Sequence, residues 1–382
     1  MIKIDPKLFG AGRTVLDLLS RAGFQAYVVG GHVRNALLDA PVSDLDIATN
    51  ASPAQVIGCA KSAGIKAVPT GIDHGTVTLI IKRNPIEVTT FRRDVATDGR
   101  RAVVSFANTI EEDARRRDFT MNALYADLNG TVFDPLGGMT DLMTRRVRFI
   151  DDPAQRICED YLRILRFFRF FAWYGDQSHG FDSEALAACA THCAGLSQLS
   201  KERVGGEMLK LLGAPNPSQA VAAMEQSGVL SQILPGAQAK ALPVLVHLED
   251  GLAPDPLRRL AALGGKDLTE AMRLSKAQAR YLTGLQSGIE TNMPPHEAGY
   301  RLGANMARDL ILLRAAVFEN MLDRADFLAV AKGASAKFPM KAEDLPELSG
   351  AALGQTLKSA QAAWIASGFV LTLPELIAKC RS

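Results

Sequence analysis

Two aspartates two residues apart, Asp44 and Asp46 in SDLDIAT, come shortly after a glycine pair, Gly30 and Gly31 in VVGGHVRNALLD. Side chains at i and i+2 of a strand share one face, so carboxylates on a strand through LDIATN (45–50) would converge. Adjacent carboxylates repel unless a cation neutralises them, and hard Mg²⁺ carrying a nucleotide's phosphates is the natural partner. The glycines stand between a strand and a helix, where free backbone N–H groups can hold phosphate. The same pattern also describes a solvated turn whose glycines only relieve a tight bend. Glu87 in IEVTTF shares a face with Thr89 and Phe91 and is the candidate third carboxylate, although a hairpin glutamate also suits open solvent. Three such groups can hold two metals, one lowering the pKa of an attacking hydroxyl and one neutralising the leaving phosphates. That is a polymerase-like arrangement.

Basic residues gather around these acids. Arg115, Arg116 and Arg117 run into Asp118 and then FTMNAL; at a helix start they fan around the axis, so one or two can enter a cleft. In RICEDYLRILRFFRFFAWYG, helical spacing places Glu159, Asp160, Arg163 and Arg166 within roughly a third of the helix surface. A carboxylate and a guanidinium side by side can offer an acceptor and donors to a base edge. An ordinary i,i+4 salt bridge from Glu159 to Arg163 fits the spacing equally well. Arg92, Arg93, Arg100 and Arg101 flank a polar stretch, DVATDGRRAVVSF (94–106), that reads as a mobile loop. His192 lies between Cys189 and Cys193, but no second ligand pair follows, so no zinc site is expected. There is neither a G-x-S-x-G nor a Walker motif with its lysine, which removes support for an esterase or a P-loop ATPase.

The elements that must position these groups are legible. Helical spacing over 12–22 stops at Gly23, and FQAYVVGG (24–31) reads as a buried strand entering a glycine turn. SPAQVIGCAKSAG opens with a serine cap and a proline, and GTVTLIIKR (75–83) and IEVTTFRR (86–93) form an antiparallel hairpin turning near Asn84 and Pro85. Residues 154–174 read as one helix, and helix follows helix thereafter. The prediction is an α+β protein: a head at 1–152 with a small mixed or antiparallel sheet, then a helical neck at 153–235 and a helical body and tail at 236–382. With 382 residues and 47% hydrophobic types there is ample core for two or three domains. The net charge of +2 excludes a uniformly basic coat but not a local basic channel. Five scattered cysteines suit a reducing compartment; with no apolar leader and no run of 18 apolar residues, the expected setting is the cytoplasm.

In order from Gly30 to Phe167, GGHVR…DLD, EVTTFR, RRDFTMNA, DPLGGMTDL and RICEDYLRILRF resemble the motifs of the class II tRNA nucleotidyltransferase and bacterial poly(A) polymerase family, which includes the CCA-adding enzymes. LSKERVGGEMLKLL (199–212) resembles the last neck motif, and the resemblance continues more loosely through the tail. It implies Asp44, Asp46 and Glu87 as catalytic metal ligands for two Mg²⁺, and Gly30, Gly31 and Arg34 as holders of the triphosphate. Arg116, Arg117, Asp118 and Asn122 match the motif that recognises ribose, and Asp134 to Asp141 match a hinge. Asp160 and Arg163, the latter held by Glu159 and neighboured by Arg166, match a protein template that accepts CTP and later ATP. The segment 92–103 matches a flexible loop that assists the change from C to A. Implied partners are CTP, ATP and the tRNA acceptor arm, with monomer and homodimer both open. Full CCA addition, A-only addition, CC-only addition and poly(A) synthesis are all within the family; the loop counts against the CC-only form, and VPTGIDHGTVTLII resembles the CCA-adding form. Two departures stand out: Asn35 where the family usually has aspartate, expected to alter the support of Arg34, and Ala102 where proline is frequent. No His-Asp pair lies among the C-terminal helices, so phosphohydrolase activity is not expected.

Overall fold

A computed structural model describes residues 2–42, 44–98 and 101–381. Seven strands form one mixed sheet in the order β3-β4-β5-β2-β1-β8-β9: β1 (Ala26–Val29), β2 (Asp46–Thr49), β3 (Lys66–Gly71), β4 (Thr76–Ile81), β5 (Asn84–Thr90), β8 (Tyr125–Ala126) and β9 (Val132–Phe133). The only parallel pairing among these is β2 with β5, where Asp46 stands opposite Glu87 and Ile47 opposite Val88. Period-two alternation then explains the faces: Ile47, Val88 and Val77 are buried, while Asp46 and Glu87 are not. The β4–β5 hairpin is present, but Lys82 and Arg83 make its turn, both with positive φ. That left-handed pair matches the twist of the flanking strands, so Asn84 and Pro85 enter β5 instead of forming the bend.

One expected loop is mostly strand. β6 (Arg92–Asp98) and β7 (Arg101–Phe106) pair antiparallel as a separate two-stranded sheet. The β-branched residues of DVAT and AVV favour extended backbone despite the charges between them. Arg100 and Gly99 lie outside the described residues.

Helix α1 (Gly12–Arg21) buries Val15, Leu16 and Leu19, and α3 (Pro53–Ser62) is started by a reciprocal capping box between Ser52 and Gln55. Between them, α2 (Gly31–Leu37) leaves the end of β1. Helix α4 (Ile110–Arg115) and α5 (Gly138–Met143) complete the sheet region. From α6 (Pro153–Glu159) onward the chain is helical, and among the described residues no strand follows Phe133.

The chain divides into two compact units, Met1–Glu207 with Gln219–Ile233, and Met208–Ser218 with Leu234–Ser382. The first contains the sheet, α7 (Leu162–Tyr174), α8 (Ser183–Thr191) and most of α9 (Lys201–Leu212). The second is all helix; a buried charge network of Arg258, Arg259, Glu249 and Asp309 lies in its interior. No helix among the described residues is long and apolar enough to cross a membrane.

Candidate active site

At one end of a cleft stand the strand-borne acids. β1 ends at Val29, Gly30 follows with a φ of 73° that glycine adopts without strain, and α2 starts at Gly31. A side chain at Gly30 would approach Arg117 Nη1 at 3.5 Å. Asp46 pairs across from Val29 on one side and Glu87 on the other. Its carboxyl is raised above the usual range, first by desolvation and then by the Glu87 charge, with Arg117 opposing and Asp44 reinforcing. The carboxylate still meets solvent, so crowding by protein behind it does the desolvating, not full enclosure. Asp44 was expected on the same strand, yet it lies ahead of β2 and is exposed. On the β1 side the ladder ends at Asp46, opposite the last residue of that strand, so Asp44 lies beyond its reach. Among the described residues no three His, Cys, Asp or Glu side chains are gathered as a metal-holding group. Asp44, Asp46 and Glu87 are nevertheless an oxygen-only donor set, and the repulsion at Asp46 is the kind a hard cation relieves.

The middle of the cleft is a chain of arginines and polar partners. Arg34 is buried; its Nη1 donates to Asn122 Oδ1 (2.5 Å), its Nε and Nη2 to Asn35 Oδ1 (3.1 and 2.8 Å), and its Nη2 also to Tyr174 Oη (2.8 Å). The Tyr174 ring stacks beneath the guanidinium at 3.9 Å. Asn35 anchors itself by donating to the Pro41 carbonyl (2.8 Å). Asn122 Nδ2 donates to Asp118 Oδ1 (3.0 Å), and Asp118 Oδ2 accepts from Arg166 Nε and Nη2 (2.8 and 2.5 Å). Although burial alone would raise the Asp118 carboxyl, Arg166 and these hydrogen bonds hold it well below the usual carboxylate range. Asp113, fully buried, takes Arg116 Nε (2.8 Å), Arg117 Nη2 (3.0 Å) and Tyr125 Oη (2.7 Å), and is likewise held low against its own desolvation.

At the far end the expected single helix is broken. α6 stops at Glu159, and Asp160 takes extended backbone (φ −156°, ψ 104°) before α7 resumes at Leu162. The Asp160 side chain explains the break: Oδ1 accepts the Leu162 N–H (3.1 Å), a local cap that competes with continuous helix. Its Oδ2 accepts from Arg203 Nη2 (2.7 Å) on α9. Glu159 Oε2 accepts from Arg163 Nη1 (2.6 Å) and also from Arg156; Arg163 further donates to the carbonyls of Arg156 (2.8 Å) and Arg116 (3.3 Å). Phe170 packs on Phe119 with ring centroids 4.9 Å apart, docking α7 beside Asp118.

These groups enclose a cleft of about 390 Å³, within the range of small-molecule sites. Gly30, Gly31, Arg34, Asp46, Arg117, Asp118, Asn122, Asp160, Arg163 and Arg166 all line it, so acids, arginines and base-edge candidates converge on one space. Asp44, Glu87, Arg116 and Glu159 do not line it. A family model described as the Poly A polymerase head domain matches residues 26–148, and one described as a probable RNA and SrmB-binding site of polymerase A matches residues 180–240. The chain is 36% identical to the mitochondrial CCA tRNA nucleotidyltransferase 1 of Mus musculus over 267 residues, 67% of this chain and 60% of that protein. It is 42% identical to the CCA-adding enzyme of Streptococcus gordonii over 240 residues, 62% of this chain and 58% of that protein. The chain belongs to the class II tRNA nucleotidyltransferase and bacterial poly(A) polymerase family. Its match spans about three fifths of the length of these curated relatives. The fold agrees along nearly the whole chain with the Bacillus stearothermophilus CCA-adding enzyme solved in complex with CTP, at a TM-score of 0.71 and 26% identity, covering 94% of this chain and 93% of that one.

Several residues that line this family member's cleft or brace the side chains lining it carry no role in the sequence reading. Asp113 stands three and four residues before Arg116 and Arg117, the helical spacing for ion pairs, and that spacing was the available signal. Arg203 lies in the last neck motif but had no assigned role. Phe170 follows Arg163 and Arg166 on one helical stripe, yet its neighbours made it look like core alone. Tyr174 and Tyr125 meet the arginines only through the fold and left no sequence signal.

Proposed function

We propose that this protein is a CCA-adding enzyme, joining C, C and A to the 3′ end of tRNA from CTP and ATP, without a nucleic-acid template and with release of pyrophosphate. The observation that carries the reading is the shared cleft, lined both by the strand-borne carboxylate of Asp46 and by Asp160 and Arg163. Relatives named as CCA-adding enzymes support it. In this reading the terminal 3′-hydroxyl attacks the α-phosphorus and pyrophosphate leaves in line.

Gly30, Gly31, Arg34 and Arg117 hold the triphosphate; Arg34 is suited to this because every side-chain atom bonded to it is neutral, leaving its charge for the anion. Asp118, tied to Asn122 and Arg166, orients the ribose side. Arg163 offers donors and Asp160 an acceptor to the base edge, with Glu159 and the Arg116 carbonyl fixing the guanidinium. A wrong base leaves one of these groups unpaired. Asp44, Asp46 and Glu87 would hold Mg²⁺, which when bound lowers the pKa of the hydroxyl and neutralises phosphate charge. We assign 1–152 as catalytic head, 153–235 as base-reading neck and 236–382 as the tRNA-binding body and tail. Five free cysteines suit work in the reducing cytoplasm.

The test is one tRNA transcript in three forms, ending at the discriminator base, at C and at CC, each given CTP, ATP or both. Completion of all three with both nucleotides supports the reading. Arrest at CC, activity on the CC form alone, or long A tails would assign the protein instead to the CC-adding, A-adding or poly(A) branch.

A further inference from the structure

Asp113 is withdrawn from solvent, outside the cleft lining, and yet four donors converge on its carboxylate. Arg116 Nε (2.8 Å) and the backbone N–H of Arg92 (3.4 Å) meet Oδ1; Arg117 Nη2 (3.0 Å) and Tyr125 Oη (2.7 Å) meet Oδ2. Tyr125 Oη also accepts from Arg117 Nε at 3.2 Å, so two of the three guanidinium nitrogens are held from behind. The third, Nη1, is turned to the Gly30 bend at the head of the cleft. One carboxylate faces two guanidiniums and so cannot cancel both, and of the two it is Arg117 that lines the cleft.

We propose that Asp113 is a positioning residue for nucleotide binding: with Tyr125 it aims the Arg117 guanidinium across the Gly30 turn at the phosphates. The proposal rests on reading the cleft as the nucleotide site. An arginine left unclamped would sample several rotamers and lose that entropy on binding each nucleotide. A carboxylate is required because an amide at this position would turn an NH₂ group toward one of the guanidiniums. The alternative, that Asp113 only closes α4 through i,i+3 and i,i+4 ion pairs, makes different predictions.

The experiment is equilibrium dialysis of labelled CTP, with Mg²⁺ present, against the full-length protein. The variants are Asp113→Asn, Tyr125→Phe, Arg117→Met and the Asp113→Asn/Arg117→Met double. Asp113→Asn is expected to weaken CTP binding about tenfold or more, and Tyr125→Phe, which disturbs no charge, about threefold. The double variant should bind no worse than Arg117→Met alone, because Asp113 acts through that arginine. Additive losses, or unchanged affinity in Asp113→Asn, would overturn the proposal. Should Asp113→Asn not fold, unchanged binding by Tyr125→Phe decides against it in the same way. A wild-type protein that takes up no CTP overturns the nucleotide reading itself, an outcome distinct from wild-type binding that the variants do not disturb.

Discussion

Arg34 is a buried cation bonded to neutral side-chain atoms from Asn35, Asn122 and Tyr174. Burial lowers its pKa, yet an arginine so placed stays charged at neutral pH. Asn35→Ala removes the acceptor for two of its N–H groups, and roughly tenfold higher KM for both nucleotides, with kcat little changed, is the expected result in steady-state kinetics. Asn35 Oδ1 touches Arg34 directly, so the departure from aspartate at this position falls on a residue that supports Arg34. Asp113 and Asp118 give the opposite case. Their folded pKa values lie below the ordinary carboxylate value, so their stabilisation is complete above about pH 4 and lost as pH falls below it toward the folded values. Urea unfolding at pH 7, 5, 4 and 3 should show stability dropping across the lower steps. Asp118→Asn should be less stable at pH 7 and flatter with pH; an unchanged acid slope would disprove the linkage.

Between helices, close approach depends on particular residues. Helices Pro295–Leu302 and Arg324–Ser335 touch backbone to backbone at Gly299 and Gly333, where a methyl group would overlap the Val330 and His296 carbonyl oxygens respectively. Gly333→Ala is therefore expected to destabilise by about 2 kcal/mol, read by urea unfolding, whereas Gly206→Ala, which meets open space, should be neutral or better. Arginines close helix ends in the same region: Arg314 donates to the Gly288 and Met293 carbonyls and Arg259 to those of Leu212 and Ala214. Which elements were legible follows from how local their causes are. The β4–β5 hairpin, the Ser52 cap and the Glu159–Arg163 pair are set by residues near one another, and the sequence pattern carried them. The break at Asp160 was hidden, because RICEDYLRILRF has unbroken helical spacing and the competing cap is a single carboxylate oxygen. The β6–β7 pairing was hidden for the reverse reason, since charged residues masked an extended, β-branched run.

At the scale of the molecule, a net charge of +2 conceals strong local order. Asp113, Asp118, Glu159, Asp160 and Glu207 each hold an arginine near the cleft, so cancellation across the chain coexists with guanidiniums facing one space. Sequence composition could bound the sum but not the layout, which depends on contacts such as Arg34 to Tyr174. Similarly, boundaries near 152 and 235 were read from changes in element type, whereas the compact units divide within α9 and near Ile233. Each unit carries one tryptophan, Trp173 in the first and Trp364 in the second. Single-tryptophan variants should therefore follow the two units separately during unfolding. Glu249→Ala, which removes the buried carboxylate shared by Arg258 and Arg259 and leaves Arg258 only the Asp309 carboxylate, should destabilise the Trp364-reporting unit by about 3–5 kcal/mol. CTP should raise the midpoint reported by Trp173; a shift seen only through Trp364 would place the nucleotide elsewhere.

In the proposed reaction the carboxylate end and the base-reading end of the cleft act on the same nucleotide. This joint action is tested most directly by incorporation of CMP and UMP into one tRNA transcript ending at the discriminator base, compared among wild type, Asp46→Ala and Arg163→Ala. Asp46→Ala is expected to abolish all addition, while Arg163→Ala still forms phosphodiester bonds but loses much of the preference for CTP over UTP. Near-normal rates in Asp46→Ala, or undiminished CTP preference in Arg163→Ala, would contradict that joint action.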